Sequence, residues 1–355
     1  MEKVDYIVIG SGCGAAPAAG KLAAAGAKVC VLERGIWWGT GPGRHAFPDG
    51  LFSLAGHLHG LGWSSKHIKR YIPINKKAGL LEIYIVDGYT ILIPSGVGGG
   101  SLVIGGFLDK PPSDIYGHYP SEITKEEMEP YFDEVAKVVE PAAAPKNTWY
   151  MDAIDKACKG IDGITSHPQM TSIWYGDGPD HDQERENQFG IKQRNNKYSG
   201  CELTGDNSGS KNSMDITYLQ MVLKNGGEIK DLSEVSTISQ NKHGYTIEYT
   251  DLRTGQRCSL SAPKVILGAG ALNSDKILFA SKARGLNALS GRLGYKWGFN
   301  GDRVGLKFTP HSPLGHDENT CLFRYHEIES NQYDFDFHQF ACASSVLTWL
   351  PWPIN

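Results

Sequence analysis

The chain has 355 residues, 40% hydrophobic and 21% charged, proportions of a globular protein with enough apolar surface for one large domain or two. A net charge of −4, with no Lys/Arg run interleaved with aromatics, removes the electrostatic case for nucleic acid as a partner. Seven cysteines without a C-x-x-C pair point to reduced thiols, and no Cys/His spacing suggests a metal.

No apolar stretch approaches the length of a membrane span, so no transmembrane segment is expected. The apolar run begins directly after Met1–Asp5 with no signal peptide ahead of it, which makes the expected location cytoplasmic.

Asp5–Ile9 reads as a buried strand, Ala15–Ala25 as an alanine-rich helix and Lys28–Leu32 as a second strand. Between the first strand and the helix, Gly10-Ser11-Gly12-Cys13-Gly14-Ala15 satisfies G-x-G-x-x-G/A. Gly10 allows the tight turn, Gly12 lets backbone approach a pyrophosphate, and the small Ala15 lets helix and strand pack closely. The positive end of the helix then faces the phosphates. Glu33, at the end of the second strand, is placed to accept hydrogen bonds from ribose hydroxyls and repels a 2′-phosphate. FAD and NAD share this turn, so the motif alone leaves both open.

Residues 36–80 read as irregular, with Trp37, Trp38, His45, His57, His59 and His67. Trp37, Trp38, Phe47, Leu51 and Phe52 suit either an apolar lid or a plain surface loop. Tyr84–Ile93 looks like strand, followed by the glycine-rich run Gly96–Gly106. Thr124 and Glu127 form a capping box for a helix with Tyr131, Val135, Val138 and Val139 on one face. Residues 141–147 read as a connector and 165–200 as polar and loop-rich. A second helix is expected over Lys211–Leu223, then short strands at 227–229, 233–239, 245–250 and 258–262. Lys264–Gly268 is a further buried strand ending in Gly-Ala-Gly.

Three stretches beyond the fingerprint resemble the glucose-methanol-choline (GMC) oxidoreductase family, and within it the cholesterol oxidase branch. Gly96–Phe107 (GVGGGSLVIGGF) resembles the loop that lies along the flavin. Gly209–Leu219 (GSKNSMDITYL), then Glu234–Ile238, resembles the helix and strand entering the adenine side. Gly268–Ser274 (GAGALNS), then Trp297 and Asn300-Gly301-Asp302, resembles the second Gly-Ala-Gly block. The resemblance covers residues 1–305 in the family's order. It implies an α/β fold: a Rossmann-like, doubly wound FAD/NAD(P)-binding sheet with a discontinuous α+β substrate domain. The expected division is 1–110 with 201–305 for FAD, and 111–200 with 306–355 for an incomplete substrate domain.

Carried over residue by residue, the resemblance places Gly10, Gly12 and Gly14 on the pyrophosphate, with Ser11, Cys13 and Ala15 in the same turn, and Glu33 with its neighbour Arg34 at the ribose. Gly100, Gly105 and Phe107 would approach the flavin through backbone groups, with Ile104 and Gly106 beside them. Val235 would hold the adenine edge by its main chain, and Ala269 and Gly270 would pack near the dinucleotide. The family often has Asn where this chain has Ile104, so one polar contact is missing there. Residues 96–108 contain no His, so the expected FAD is non-covalent.

The implied chemistry is oxidation of an alcohol, sterol-like on the nearest branch, by hydride transfer to the flavin while a base takes the hydroxyl proton. The electron acceptor, oxygen or another, is left open. The family's catalytic His lies well downstream of the Gly-Ala-Gly block. The nearest echo is His311, in Pro310–Gly315, and it comes too soon after Asn300–Asp302, so no catalytic residue is assigned. The expectation is a chain ending before that segment: a truncated product, one subunit completed by a partner, or a compact relative with a diverged ending. Tyr333, Phe335 and Phe337 suggest a strand of the substrate sheet. Two rivals stand beside this reading, a non-catalytic FAD-binding module and an NAD-dependent dehydrogenase.

Overall fold

The computed structural model of the chain describes residues 4–43, 46–47, 57–64, 69–86, 89–111, 113–198, 205–298, 324–328 and 335–338. The first elements are β1 (Tyr6–Ile9), α1 (Ala16–Ala24), β2 (Val29–Leu32), β3 (Leu58–Ser64), β4 (Lys69–Pro73), β5 (Leu81–Val86) and β6 (Tyr89–Pro94). Next come α2 (Lys125–Val139), α3 (Trp149–Cys158), β7 (Ile164–Pro168), β8 (Glu184–Glu186), β9 (Lys192–Arg194) and α4 (Tyr218–Lys224). The last are β10 (Glu228–Lys230), β11 (Ser233–Asn241), β12 (Gly244–Asp251), β13 (Gln256–Ala262), β14 (Lys264–Leu267), α5 (Ala271–Lys282), β15 (Arg324–Ile328) and β16 (Phe335–His338).

A parallel sheet of order β10-β2-β1-β14 positions the site. Side chains of a strand alternate between faces, so the sheet feeds two cores. Val8, Val29 and Val31 pack with α1 and with Tyr218, Leu219 and Val222 of α4. Ile7, Ile9, Cys30 and Leu32 pack on the other face against Ile238 and Ile247 of the β11-β12-β13 meander and Ile277 of α5. Burying each large aliphatic chain here contributes about 1.5–3 kcal/mol.

Helix α1 forms because alanines dominate it and Pro17 falls in the first turn, where a missing N–H costs nothing. Ala16, Ala19, Gly20 and Ala23 are buried at helical spacing. A Cβ on Gly20 would lie 2.9 Å from the Tyr218 carbonyl oxygen, so α1 and α4 touch at backbone distance.

A second four-stranded sheet, β4-β3-β5-β6, corrects the reading of 36–80 as irregular. Its strand β3 was masked in the sequence by Gly60 and Gly62. A Cβ on Gly60 would lie 2.2 Å from the Tyr71 hydroxyl and one on Gly62 would lie 2.2 Å from the Tyr84 ring, so tyrosines of β4 and β5 fill the space those residues leave. The run 84–93 is likewise two antiparallel strands, β5 and β6. The loop-rich stretch 165–200 contains the β8–β9 hairpin, and β7 pairs with β15, which pairs with β16. Phe335 and Phe337 thus lie in a strand, while Tyr333 is outside the described residues.

Two helix expectations change. Thr124 caps α2 through the Glu127 amide at 3.2 Å, but Tyr131 is exposed and only the Val138–Val139 end is buried. In place of one helix over 211–223, a 3₁₀ turn at Met214–Ile216 precedes the short α4, and residues 211–213 are not helical. Helix α5, directly after Gly-Ala-Gly, was not anticipated.

Candidate nucleotide and flavin site

The turn from β1 into α1 carries the fingerprint. Gly10 has φ +93°, and a Cβ there would lie 2.4 Å from the Gly268 carbonyl oxygen and 3.0 Å from Ala269 Cα. A side chain is excluded by both conformation and contact. The amide of Gly268 in turn donates to the Ile9 carbonyl at 2.8 Å. The two Gly-rich turns that close the parallel strands β1 and β14 therefore lie against each other.

The run Gly96–Gly100 packs onto the same turn. A Cβ on Gly99 would lie 2.7 Å from Gly12 Cα, and one on Gly12 would lie 3.8 Å from the Gly100 nitrogen. Ser11 ties three pieces together. Its hydroxyl donates to Glu33 Oε2 at 2.7 Å and accepts from the Gly98 amide at 3.0 Å. Glu33 Oε1 accepts from the Gly35 amide at 2.9 Å. Burial pushes the Glu33 carboxyl up, against those two donors and the nearby Arg34 charge, which hold it down.

Downstream, Gly99–Leu102 forms a 3₁₀ turn whose Ser101 hydroxyl accepts from the Met214 amide at 2.9 Å. The buried Lys211 donates from Nζ to the carbonyls of Leu102 at 2.9 Å and Ile104 at 2.8 Å. The Ser172 amide donates to the Gly106 carbonyl at 2.7 Å. Gly105 and Gly106 are buried, while Ile104 and Phe107 are exposed.

The structure thus brings Gly10, Ser11, Gly12, Glu33, Gly100 and Ala269 together. Cys13 and Gly14 are exposed on the same turn, and Ala15 is buried, with its Cβ 2.7 Å from where a Gly268 Cβ would stand. Gly270, φ +77°, is the N-cap residue of α5. Val235 sits beside a bulge in β11 and packs against the second core. Arg34 forms a buried ion pair with Glu82 of β5 at 2.7 Å. Asn300–Asp302 and His311 lie outside the described residues.

Sequence reasoning missed Lys211, Asp215, His59 and Glu82. Asp215 is buried and accepts from the hydroxyls of Thr40 and Ser213. The signal for Lys211 and Asp215 was present, a cation and an acid among small polar residues in GSKNSMD, a poor opening for a helix.

The sequence model of the GMC oxidoreductase family matches residues 184–311. The cholesterol oxidase of Mycobacterium tuberculosis H37Rv is 26% identical over 338 residues, covering 88% of this chain and 54% of that protein. Over residues 184–311 the chain is similar to the GMC oxidoreductase family. A second relative, the 2-methyl-1,2-propanediol dehydrogenase of Mycolicibacterium austroafricanum, is 25% identical over 80% of this chain and 52% of its own length. Among solved structures, a formate oxidase of Aspergillus oryzae RIB40 aligns at TM-score 0.47 with 14% identity, covering 79% of this chain and 48% of that one. The chain spans about half the length of the curated relatives it matches.

Similarity to the GMC family implies a flavin, and the residues present fit one. Glu33 accepts one hydrogen bond at each oxygen, where a carboxylate has capacity for about four, leaving room for ribose hydroxyls. No acceptor is found among the described residues for the amides of Ile104, Gly105 and Gly106. Among the described residues no group of His, Cys, Asp or Glu could hold a metal, and no helix is long and apolar enough to cross a membrane.

Proposed function

We propose that the chain binds FAD non-covalently and belongs to an oxidoreductase that oxidises an alcohol CH–OH group by hydride transfer to the flavin. The carrying observation is the double cradle: Gly96–Gly100 lies on the Gly10–Gly14 turn, with Ser11 hydrogen-bonded to Glu33 at the seam. An NAD domain needs the first turn and has no use for the second loop.

In this reading Gly10, Gly12 and Gly14 receive the pyrophosphate, Glu33 the ribose, Val235 the adenine edge, and Gly100 and Gly105 the ring system. Residues 1–110 with 201–305 form the FAD-binding part. Bound FAD supplies the hydride acceptor; the chain's own residues bind it, orient it and keep water from its buried edge. A sterol and a branched diol appear in the names of two relatives, which supports an alcohol as the common substrate class and a sterol-like one as a specific candidate.

The test is to purify the chain with FAD, record its visible spectrum, then add alcohols or sterols without oxygen. A yellow protein that bleaches supports the reading. A colourless protein defeats the FAD assignment, and a yellow protein that no alcohol bleaches defeats catalysis by this chain while leaving the binding module standing.

A further inference from the structure

Lys211 is a lysine held almost entirely out of water, 2% exposed, and it ends a turn built to hold it. The buried Asp206 carboxylate accepts from the Ser208 amide at 2.9 Å, the Ser210 hydroxyl at 2.6 Å and the Lys211 amide at 2.7 Å. That network fixes the backbone from which the side chain departs. The stem passes Gly106, where an added Cβ would stand 3.6 Å from Lys211 Cδ and 2.8 Å from the Ser172 hydroxyl. Ser172 also joins the two segments of this contact, donating its amide to the Gly106 carbonyl and accepting at its own carbonyl from the Asn212 amide at 2.7 Å.

The ammonium therefore reaches the Gly96–Phe107 loop from behind and takes the carbonyls of Leu102 and Ile104. A trans peptide is planar, with its carbonyl and N–H on opposite sides. Holding the Ile104 carbonyl thus fixes the Gly105 N–H pointing away from Lys211. That N–H, like those of Ile104 and Gly106, has no acceptor among the described residues. An unbonded N–H on a buried glycine costs free energy unless a ligand takes it up.

We propose that Lys211 is a positioning residue for the flavin: by gripping the Leu102 and Ile104 carbonyls it presets the Gly105 N–H as a donor to the ring system. This rests on the flavin reading above. A flavin that has taken up electrons is richer in negative charge than the oxidised ring, so a preset donor favours the reduced form. Lys211 serves the redox poise of the cofactor through the backbone, without touching substrate.

The experiment compares the full chain with Lys211→Met and Lys211→Arg, each loaded with FAD. For Lys211→Met the expected result is about tenfold weaker FAD binding, with the reduced form weakened about tenfold further. For a two-electron couple that extra factor lowers the midpoint potential by about 30 mV. Lys211→Arg, which keeps donors in place, recovers most of the potential. A purely structural lysine would lower the melting temperature and leave the potential unmoved.

A yellow Lys211→Met protein with unchanged potential and spectrum overturns the proposal alone. A wild-type chain that takes up no FAD overturns the flavin reading, and this proposal with it. If Lys211→Met does not fold, amide hydrogen exchange on the wild type decides. FAD should slow exchange at residues 104–106, and exchange there that ignores FAD overturns the assignment.

Discussion

The two four-stranded sheets solve the burial problem in opposite ways. In the parallel sheet both faces are covered, so Ile7 and Val8 are each fully buried, on opposite sides. In the β4-β3-β5-β6 sheet one face bears a row of aliphatic residues across all four strands, Ile72, Leu61, Ile83 and Leu92, beside Trp63 and Ile85. Ile72, Leu92 and Trp63 of that face are exposed. The opposite face buries charge: Glu82 against Arg34, with the Tyr84 hydroxyl on Glu82 at 3.2 Å and the fully buried His59 nearby. Among the described residues neither ring nitrogen of His59 has a hydrogen-bond partner. The first sheet is held by apolar packing, and the second depends on one buried ion pair. That difference predicts where each will break.

The largest effect is expected at Glu82. Burial alone would push its carboxyl up, but the Arg34 guanidinium and the Tyr71 hydroxyl hold it below the ordinary carboxylate range. Glu82→Leu leaves the Arg34 charge buried without its partner and should cost about 3–5 kcal/mol in denaturant unfolding. The double variant Arg34→Met with Glu82→Leu should recover most of that loss. A double variant as unstable as the single one would show that the pair is not what ties the second sheet down.

Next in size is a contrast within the apolar residues. Ile7→Ala empties a site closed on every side and should cost about 3 kcal/mol. Ile72→Ala, on the open face, should stay within about 0.5 kcal/mol of wild type. Equal losses at the two positions would mean that the open face is covered in solution.

The same contrast explains what could be read from the amino-acid order. β1, α1, β2 and the fingerprint were legible because their burial follows local periodicity: a four-residue apolar strand, alanines at helical spacing, glycines at a fixed offset. β3 was not legible, because Gly60 and Gly62 are strand residues only by virtue of tyrosines on β4 and β5. The non-helical start of 211–223 is equally non-local. Lys211 leaves the helical path to reach carbonyls at 102 and 104, with Asp206 holding the turn. Of the site, the glycines and Glu33 could be placed from spacing, whereas the engagement of Arg34 by Glu82 required the fold.

A third prediction uses pH. Burial, then the Arg34 charge, lowers His59 from 6.5 to about 4, against the opposing pull of Glu82. Between those values the unfolded chain binds a proton that the native chain does not, so stability falls as pH drops through that window. The loss is about 1.4 kcal/mol per pH unit, roughly 2 kcal/mol by pH 5. Subtracting the profile of His59→Leu from that of wild type isolates this contribution. A flat difference between pH 7 and 5 would place the acid sensitivity elsewhere than in the second sheet.

The smallest stability effect belongs to Glu33, in the sheet that otherwise depends on apolar packing. Its carboxyl is raised above the unfolded value of 4.5 by burial, so the native chain holds its proton more tightly. The sign is therefore opposite to that of His59: this group's contribution is present at low pH and lost as pH rises through the raised value. Burial disfavours the charged form, which the Ser11 hydroxyl and the Gly35 amide help to hold. Glu33→Gln removes the group whose charged form burial disfavours and should leave stability unchanged or raise it by about 1 kcal/mol. Cofactor binding should respond the other way, because hydrogen bonds from ribose hydroxyls to a charged acceptor contribute about 1.5–3 kcal/mol. FAD affinity should then fall about tenfold to a hundredfold. Melting without ligand and FAD titration on the same two proteins check both signs. A variant that loses stability while keeping its FAD affinity would make Glu33 a strut of the parallel sheet, not a ligand of the nucleotide.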